Sequence, residues 1–256
     1  MQIITLNIWG GRAGRENLLA FFEKYKNVDV FCLQEVWSAP YDLLTEIPVG
    51  GVSLDFSKIM AYALQDISKI LIEHNNYFRP LFESNYGLLI FVKKSLEVIE
   101  EGEIYVYKDK GFVSKKDYGD HARSIQYVTL NTSSGPLTII NFHGLWNGKG
   151  KGDTDDRILQ SENIIKFLKT IKNPMVFCGD FNLTPETKSL QAIEKELGLR
   201  NLISEFKIES TRTSFYTKPI KYADYIFTTP TLNVNEFKVL PEEVSDHSAL
   251  YLDITI

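Results

Sequence analysis

The chain has 256 residues, a formal net charge of -5 and 44% hydrophobic residues. This length suffices for one large domain with a sizeable core, and we expect a single domain over residues 1–256. The acidic balance argues against a protein that binds nucleic acid by non-specific attraction, because that mode needs a basic face. It does not exclude an enzyme whose bound divalent cations offset the charge locally.

The first half of the chain mixes strand and helix patterns. Residues 2–8 and 28–33 have the apolar character of strands, and residues 15–26 and 55–73 have helical spacing. Residues 38–54 are rich in proline and glycine and are predicted to form a loop.

Strand patterns dominate from residue 78 onwards. Residues 124–130 and 137–142 flank the turn sequence Asn-Thr-Ser-Ser-Gly-Pro, which predicts a hairpin. Helices are expected near residues 155–171 and 185–197. Further strands are predicted at 78–83, 88–92, 97–106, 175–178, 215–216, 222–227, 236–240 and 249–256. Hairpins mixed with a few helices indicate antiparallel sheets covered by helices, not a series of βαβ units.

The two cysteines, Cys32 and Cys178, each lie in an apolar stretch shortly before a carboxylate. Buried reduced thiols fit this setting better than a disulfide. The first predicted strand starts at residue 2, which leaves no room for a signal peptide, and no apolar run approaches a membrane span. We therefore expect a cytoplasmic protein without a membrane anchor, and a monomer.

Polar side chains recur where apolar strands end. Asp180 and Asn182 follow a buried strand two residues apart, so in extended chain they point the same way. Asp224 interrupts an apolar strand, where a carboxylate is costly unless it is paired or bound to metal. Each residue alone also has a structural interpretation, as a turn, a cap or a solvated side chain. The full set is Asn7, Glu35, His143, Asp180, Asn182, Asp224, Asp246 and His247.

Taken together, six short motifs resemble those of the endonuclease/exonuclease/phosphatase superfamily, which has the fold of pancreatic deoxyribonuclease. They occur in the family's order over nearly the whole chain. The motifs are Thr5-Leu6-Asn7, Leu33-Gln34-Glu35, Asn141-Phe142-His143, Gly179-Asp180-Phe181-Asn182, Ala223-Asp224-Tyr225 and Ser245-Asp246-His247. The resemblance implies an α+β fold, a four-layer α/β sandwich of two mainly antiparallel sheets flanked by helices. It also implies a metal-dependent phosphoric-ester hydrolase.

The resemblance further implies a site for Mg²⁺ or Mn²⁺, cations that prefer oxygen ligands. Glu35 is the best candidate ligand, with Asn7 beside it and Asp246 closing the site.

The remaining motif residues are expected to act on the phosphate. Asp180 would orient or deprotonate the attacking water, helped by Asn182. Asp224 would hydrogen-bond His247, fixing its tautomer and raising its pKa, so that the ring meets a phosphate oxygen as a cation. His143 would donate to another phosphate oxygen.

Several other residues have two interpretations each. Arg123, at the head of a strand, is either a phosphate contact or part of a surface ion pair. Arg157 is expected to be structural, and His74 and His121 are expected at a helix end and in a loop. The aromatic side chains Trp9, Tyr118, Trp146 and Tyr216 either line the cleft or fill the core. The glycine-rich loop 147–152 either reaches the substrate or is a solvated linker.

Two alternatives remain for the function. The glycines 10, 11 and 14, with Glu35 about 20 residues further on, imitate a dinucleotide-binding fingerprint in imperfect spacing. The second alternative concerns the substrate. A nuclease-like phosphodiesterase acting on DNA or RNA is favoured, because no apolar lipid-binding hairpin is evident. A phosphatase or phosphodiesterase of the inositol phosphate or sphingomyelin type is the alternative.

Overall fold

Two six-stranded β-sheets form the centre of the fold. The computed structural model describes residues 1–40, 55–82, 85–117 and 119–255. The strands are β1 (Gln2–Asn7), β2 (Val30–Trp37), β3 (His74–Phe82), β4 (Tyr86–Lys93), β5 (Glu97–Tyr107), β6 (Arg123–Thr132), β7 (Gly135–His143), β8 (Met175–Asp180), β9 (Arg200–Asn201), β10 (Asp224–Thr228), β11 (Asn233–Val239) and β12 (Leu250–Thr255).

The strand order is β11-β12-β1-β2-β4-β3 in the first sheet and β5-β6-β7-β8-β10-β9 in the second. Each sheet contains one parallel pair, β1 with β2 and β7 with β8. The other pairs recorded for the described strands are antiparallel, as in the β6–β7 hairpin. This confirms the mainly antiparallel sandwich predicted from the sequence.

Helices cover the outer face of each sheet. They are α1 (Arg15–Tyr25), α2 (Ala63–Ile70), α3 (Asp155–Leu168), α4 (Lys188–Leu197) and the short α5 (Leu202–Glu205). The side chains of β1 show how the sheets and helices are layered, because successive side chains of a strand point to opposite faces of the sheet. Ile3 packs between the two sheets, whereas Ile4 packs towards α1 and α2. Among the helices that the structure describes, none is long and apolar enough to cross a membrane.

The helix predicted over residues 55–73 is wrong in its first half. Residues 56–58 form a 3₁₀ turn, and the α-helix begins only at Ala63. The backbone N–H of Met60 donates instead to the carbonyl of Gly10, at 2.8 Å, which takes this part of the chain out of helical bonding. The predicted strand at residues 215–216 is also wrong, because Phe215 and Tyr216 lie in a turn. Of the predicted loop 38–54, residues 41–54 lie outside the described residues.

Both cysteines lie in the core between the sheets as free thiols, as predicted. Burial, together with a hydrogen bond to Cys178, raises the pKa of Cys32 well above its usual value. Nearby, buried hydrogen bonds connect β2 of the first sheet with β7 of the second. Gln34 donates to the side chain of Asn141 at 2.6 Å, and Asn141 donates back to the carbonyl of Leu33 at 2.9 Å.

The topology brings the functional strand ends to one edge of the sandwich. In the first sheet, Asn7 lies level with Gln34 where β1 and β2 end in parallel. In the second sheet, His143 lies level with Asp180, and Asp180 in turn faces Asp224 at the start of β10. Carboxyl ends of parallel strands meet at one edge of a sheet, so five strands deliver polar side chains to the same place.

Candidate active site

The strand ends open into a cleft with a cavity of about 330 Å³. Seven of the nine predicted site residues line it: Glu35, Arg123, His143, Asp180, Asn182, Asp246 and His247. Asn7 and Asp224 lie directly behind, each hydrogen-bonded to a residue of the lining. The structure therefore brings together all nine side chains that the sequence singled out.

Asp224, His247 and Asp180 form a buried chain of alternating charge. His247 Nδ1 lies 2.8 and 2.9 Å from the two carboxylate oxygens of Asp224. On the other side of the ring, Nε2 lies 3.6 Å from Asp180 Oδ2. Burial and the cation of Arg212 would lower the pKa of His247, but the carboxylates of Asp224, Asp180 and Asp246 raise it above its ordinary value. The ring is thus favoured in its protonated form, with Nε2–H facing the cleft.

Thr211 fixes the orientation of the Asp224 carboxylate. Its hydroxyl accepts hydrogen bonds from the backbone N–H groups of Ala223 and Asp224 at 3.2 and 3.3 Å. Its own proton therefore points to Asp224 Oδ2, which it reaches at 3.0 Å. Both oxygens of Asp224 act as acceptors in this arrangement, so Nδ1 of His247 must be the donor.

Asp180 is held in place from both sheets. Its Oδ1 accepts the backbone N–H of Asn182 at 2.8 Å, and its Oδ2 accepts the side-chain amide of Asn7 at 3.1 Å. Burial would raise the pKa of Asp180, but the positive charges of His247, Lys151 and Arg212 hold it well below its usual range. A carboxylate this acidic orients a water by accepting its hydrogen bond and is a poor proton acceptor.

His143 differs from His247 in charge. Burial and the cation of Arg123 lower its pKa well below the usual value, although Asp180 acts in the opposite direction. Its Nε2 lies 3.7 Å from Asp180 Oδ2 and 3.9 Å from Glu35 Oε1. A neutral imidazole protonated on Nε2 can still donate to a phosphate oxygen, and this role of His143 stays a prediction.

Glu35 reaches the cleft from a bulge in β2. The register with β4 shifts between Leu33 and Val36, and Glu35 has a positive φ of 57°. Of the five non-glycine residues with positive φ in the described chain, Trp9, Glu35 and Asn182 line the cleft. Such backbone conformations cost of order 1–3 kcal/mol and concentrate at functional sites.

The carboxylates at the cleft fit a divalent cation that prefers oxygen ligands. Glu35 is half-buried, accepts the amide of Asn7 at 3.0 Å on Oε1, and lies 4.0 Å from Arg12 through Oε2. Oδ1 of Asp246 is buried and has no hydrogen-bond partner in the described part of the chain. The side-chain oxygen of Asn7 already accepts the backbone N–H of Trp9 at 2.9 Å, so here Asn7 positions Glu35 and Asp180. Its assignment as a direct ligand stays a prediction.

Asp180, Asp224 and His247 also place ligand-type atoms within 4.8 Å of one another. Nδ1 of His247 is already hydrogen-bonded to Asp224, and a metal on that nitrogen would displace its proton. We therefore interpret these three residues as a hydrogen-bonded Asp224–His247 pair facing the Asp180 carboxylate, and we place the candidate cation next to Glu35.

Arg123 is fully buried, which rules out the surface ion pair that was its alternative. Its Nη2 donates to the carbonyl of Gly119 at 3.0 Å. Nε and Nη1 have no hydrogen-bond partner among the described residues, although the side chain lines the cleft. A guanidinium with spare donors beside the carboxylates is suited to bind an anion.

Some expectations for the other residues are met and others are not. Arg157 is structural: it donates to the carbonyls of Leu145, Gly152 and Gly150 at 3.2, 2.5 and 2.6 Å. His74 lies in β3, not at a helix end, and bonds the carbonyl of Val28 through its ring at 2.7 Å. The residues from this group that line the cleft are Trp9, His121, Trp146 and Tyr216, whereas Tyr118 lies outside the described residues.

The dinucleotide-binding interpretation is wrong. A Cβ on Gly11 would approach Met60 to 2.7 Å, and the carbonyl of Gly10 accepts the backbone N–H of Met60. The glycine turn therefore packs against another part of the chain, where a pyrophosphate would have to lie. The antiparallel strands that follow also exclude the series of parallel strands that a Rossmann fold needs.

Four residues that the sequence analysis did not select complete the site. Arg212 donates to Asp246 at 3.3 Å and stacks over Tyr216 at 4.1 Å. Arg12 stacks over Trp9 at 4.4 Å, and Lys151 reaches Asn182 from the glycine-rich loop. The fourth is Thr211, already described. None of them stands at the end of an apolar strand, so the signal that revealed the motif residues was absent.

Comparisons with known proteins agree with this geometry. Residues 4–247 match the Endonuclease/Exonuclease/phosphatase family. A UPF0294 protein of Vibrio campbellii is 29% identical over 147 residues, which is 57% of this chain and 49% of that protein, so the match spans about half its length. A mannosyl-6-phosphatase of Bacteroides thetaiotaomicron superposes with a TM-score of 0.72 at 15% identity over 100% of both chains. The human Nocturnin catalytic domain, solved with a bound sulfate anion, has a TM-score of 0.68 at 19% identity over 100% of this chain and 93% of its own.

The two structural likenesses establish the fold, and the family match spans all six motifs that meet at the cleft. The chain therefore belongs to the endonuclease/exonuclease/phosphatase family of phosphoester hydrolases.

Proposed function

We propose that this protein is a divalent-metal-dependent hydrolase that cleaves small phosphoesters in the described cleft. The observation behind the proposal is the buried chain Asp224–His247–Asp180 at the floor of a cleft that also holds Arg123 with spare donors. Phosphoester hydrolysis needs an oriented water and positive charge around the phosphate. The cleft offers a fixed carboxylate, Asp180, that can orient a water, and cationic side chains that can surround the phosphate.

The residues divide these tasks according to their charge. Asp180, held ionised, accepts a hydrogen bond from the attacking water and aims it at phosphorus. His247, protonated and anchored on Asp224, donates from Nε2 to a phosphate oxygen. Neutral His143 donates to a second oxygen, and Arg123 neutralises charge on the phosphate. Mg²⁺ or Mn²⁺ would be held by Glu35 and Asp246 and would supply further charge neutralisation when bound.

The size and charge of the cleft favour a small substrate. Its cavity of about 330 Å³ lies at the low end of ligand pockets, which span ~300–1,000 Å³, and suits one phosphorylated unit. Although the chain has a net charge of -5, the described residues that line the cleft include five Lys or Arg side chains and three carboxylates. This local excess of positive charge attracts an anionic substrate.

A nuclease-like phosphodiesterase, favoured by the sequence, is the second candidate. The aromatic lining of the cleft favours this candidate. The ring centres of Trp9 and Phe215 lie 6.4 Å apart there. Exposed aromatic rings stack on the bases of single-stranded nucleic acids. The same rings also stack on a sugar or an aryl group, so this feature alone does not require a nucleic acid.

A substrate panel with Mg²⁺ and with Mn²⁺ tests the proposal. It contains sugar phosphates, inositol phosphates, sphingomyelin, single-stranded DNA and RNA, abasic DNA and bis(p-nitrophenyl) phosphate. We expect the highest kcat/KM on a small soluble phosphoester, and loss of turnover on addition of EDTA. Faster cleavage of DNA or RNA would favour the second candidate. Turnover that EDTA does not affect would contradict the role of the metal.

A further inference from the structure

Lys151 enters the cleft from the loop 147–152, which the sequence left open between a substrate contact and a solvated linker. Arg157 holds this loop through the carbonyls of Gly150 and Gly152. The carbonyl of Lys151 itself accepts the backbone N–H of Thr184 at 3.1 Å. These bonds fix the chain on both sides of Lys151 and direct its side chain inwards, where 4% of the residue is exposed.

Among the described residues, the buried ammonium group of Lys151 has no carboxylate in direct contact. Its recorded hydrogen bond goes to Asn182 Oδ1 at 2.5 Å, while Asp180, Asp224 and Asp246 act on its charge from a longer range. An ammonium group has three donors, and burying a charge without a paired anion is costly. A lysine whose role is purely structural would be paired or would extend its head to solvent. Lys151 instead lines the cleft beside the phosphate-directed residues.

Asn182 and Trp146 hold the ammonium group in this position. Asn182 donates from its amide nitrogen to the carbonyl of Gly144 at 3.2 Å, which leaves its oxygen for Lys151. The ring of Trp146 lies 5.5 Å from Nζ. Asn182 therefore orients Lys151 through its oxygen. Its second amide N–H is not used by these two bonds, so its predicted contact with the attacking water stays a prediction.

We propose that Lys151 is a substrate-binding residue whose ammonium group contacts a non-bridging oxygen of the phosphate, with Asn182 and Arg157 as positioning residues. The proposal rests on the proposed function, since the same cleft is assumed to bind the phosphoester. An oxyanion supplies a counter-charge in direct contact with the ammonium group and accepts its remaining N–H donors. Burial lowers the pKa of Lys151 to about 8, which leaves the group charged in most molecules at pH 7.

Binding of inorganic phosphate, measured by calorimetry at pH 7 with Mg²⁺ present, tests the proposal without any turnover. A hydrogen bond to a charged group contributes enough that Lys151→Met should weaken phosphate binding by about 10- to 100-fold. Lys149→Met is the matched control, because Lys149 lies exposed in the same loop, and it should bind phosphate like the wild type. Hydrolysis of bis(p-nitrophenyl) phosphate should fall in parallel in Lys151→Met.

The melting temperature separates binding from a structural role. Replacing Lys151 by an apolar side chain of similar length removes the cost of burying its charge, so Lys151→Met should melt within about 3 °C of the wild type. If Lys151→Met does not fold, Lys151→Gln serves in its place. Unchanged phosphate affinity in a folded Lys151 variant would overturn the proposal. If phosphate binding depends on Lys151 but no phosphoester is cleaved, the proposed function fails and the binding role stands.

Discussion

The pair of Asp224 and His247 offers the sharpest test of how the site uses charge. In Asp224→Asn the carboxylate becomes an amide, which must direct its N–H₂ group either to Thr211 or to His247. The hydroxyl of Thr211 already accepts two backbone N–H groups. The amide N–H₂ is therefore directed to His247 Nδ1, which must then become an acceptor. We expect the ring to lose its proton from Nδ1 and its pKa to fall.

The size of the effect follows from the contacts. His247 Nδ1 lies 2.8 Å from Asp224 in a fully buried setting. A hydrogen bond to a charged group contributes about 1.5–3 kcal/mol, and about 1.4 kcal/mol corresponds to a tenfold change in rate. If protonated His247 stabilises charge on the phosphate only in the transition state, Asp224→Asn should lower kcat by about 10- to 150-fold. Its affinity for Mg²⁺ should be little changed.

The pH dependence gives an independent readout. The folded-state pKa of His247 is raised, so protonation stabilises the fold below about pH 6.5, the unfolded value, and this contribution is lost as the pH rises through the folded pKa. In the metal-free protein, the unfolding free energies of wild type and Asp224→Asn should therefore differ most near pH 5.5 and converge as the pH rises. In the pH–rate profile, the alkaline limb should move to lower pH in Asp224→Asn.

Asp253→Asn is the matched control, because Asp253 pairs with the N-terminal amine at 3.3 Å and faces Gln2, at the opposite end of β1 from Asn7. It should leave the alkaline limb in place. If Asp224→Asn also kept the limb and the turnover of the wild type, His247 would not act as a cation, and Asp224 would be a structural carboxylate.

Three further variants or modifications test other parts of the account. Glu35→Gln should weaken Mg²⁺ binding in calorimetry by at least about tenfold with an unchanged fold. The control Glu23→Gln, on the exposed face of α1, should bind Mg²⁺ like the wild type. A crystal soaked in Mn²⁺ that showed the metal elsewhere and none near Glu35 would contradict this site. Cys32 and Cys178, buried and free, should both react with a thiol reagent in denaturant without reductant, and protection of both would indicate a disulfide. Arg157→Met leaves the carbonyls of Leu145 and Gly152 without their donor, so the free energy of unfolding in urea titrations should fall by about 3 kcal/mol or more. A loss under about 1 kcal/mol would show that Arg157 does not hold the loop 147–152 in place.

Much of the fold and the motif part of the site could be predicted from the sequence, for a physical reason. Strand ends are local features: an apolar run that stops at a polar residue marks the edge of a sheet, as at Asp180 and His143. The resemblance of six such motifs to one family then supplied the topology that brings them together. The buried position of Asp224 was also predictable, because a carboxylate inside an apolar strand requires a partner.

Residues whose role depends on the path of a loop could not be predicted in this way. Lys151 lies in a glycine-rich loop typical of a solvated linker, and its inward direction depends on Arg157, six residues further on. Thr211 and Arg212 precede a turn with no apolar pattern, and they reach Asp224 and Asp246 only in the folded chain. The contacts of Lys151 with Asn182, of Thr211 with Asp224 and of Arg212 with Asp246 join distant parts of the chain, so no spacing in the sequence reveals them.

The central claim is that Asp180, at the floor of the cleft, aims water at the phosphorus of a metal-assisted phosphoester hydrolysis. The most direct measurement compares kcat of wild type and Asp180→Asn on the best substrate of the panel, with Mg²⁺ and after EDTA. We expect turnover in the wild type that EDTA abolishes and Mg²⁺ restores, and a kcat lower by about 100-fold or more in a folded Asp180→Asn. Wild-type turnover in Asp180→Asn would contradict the account.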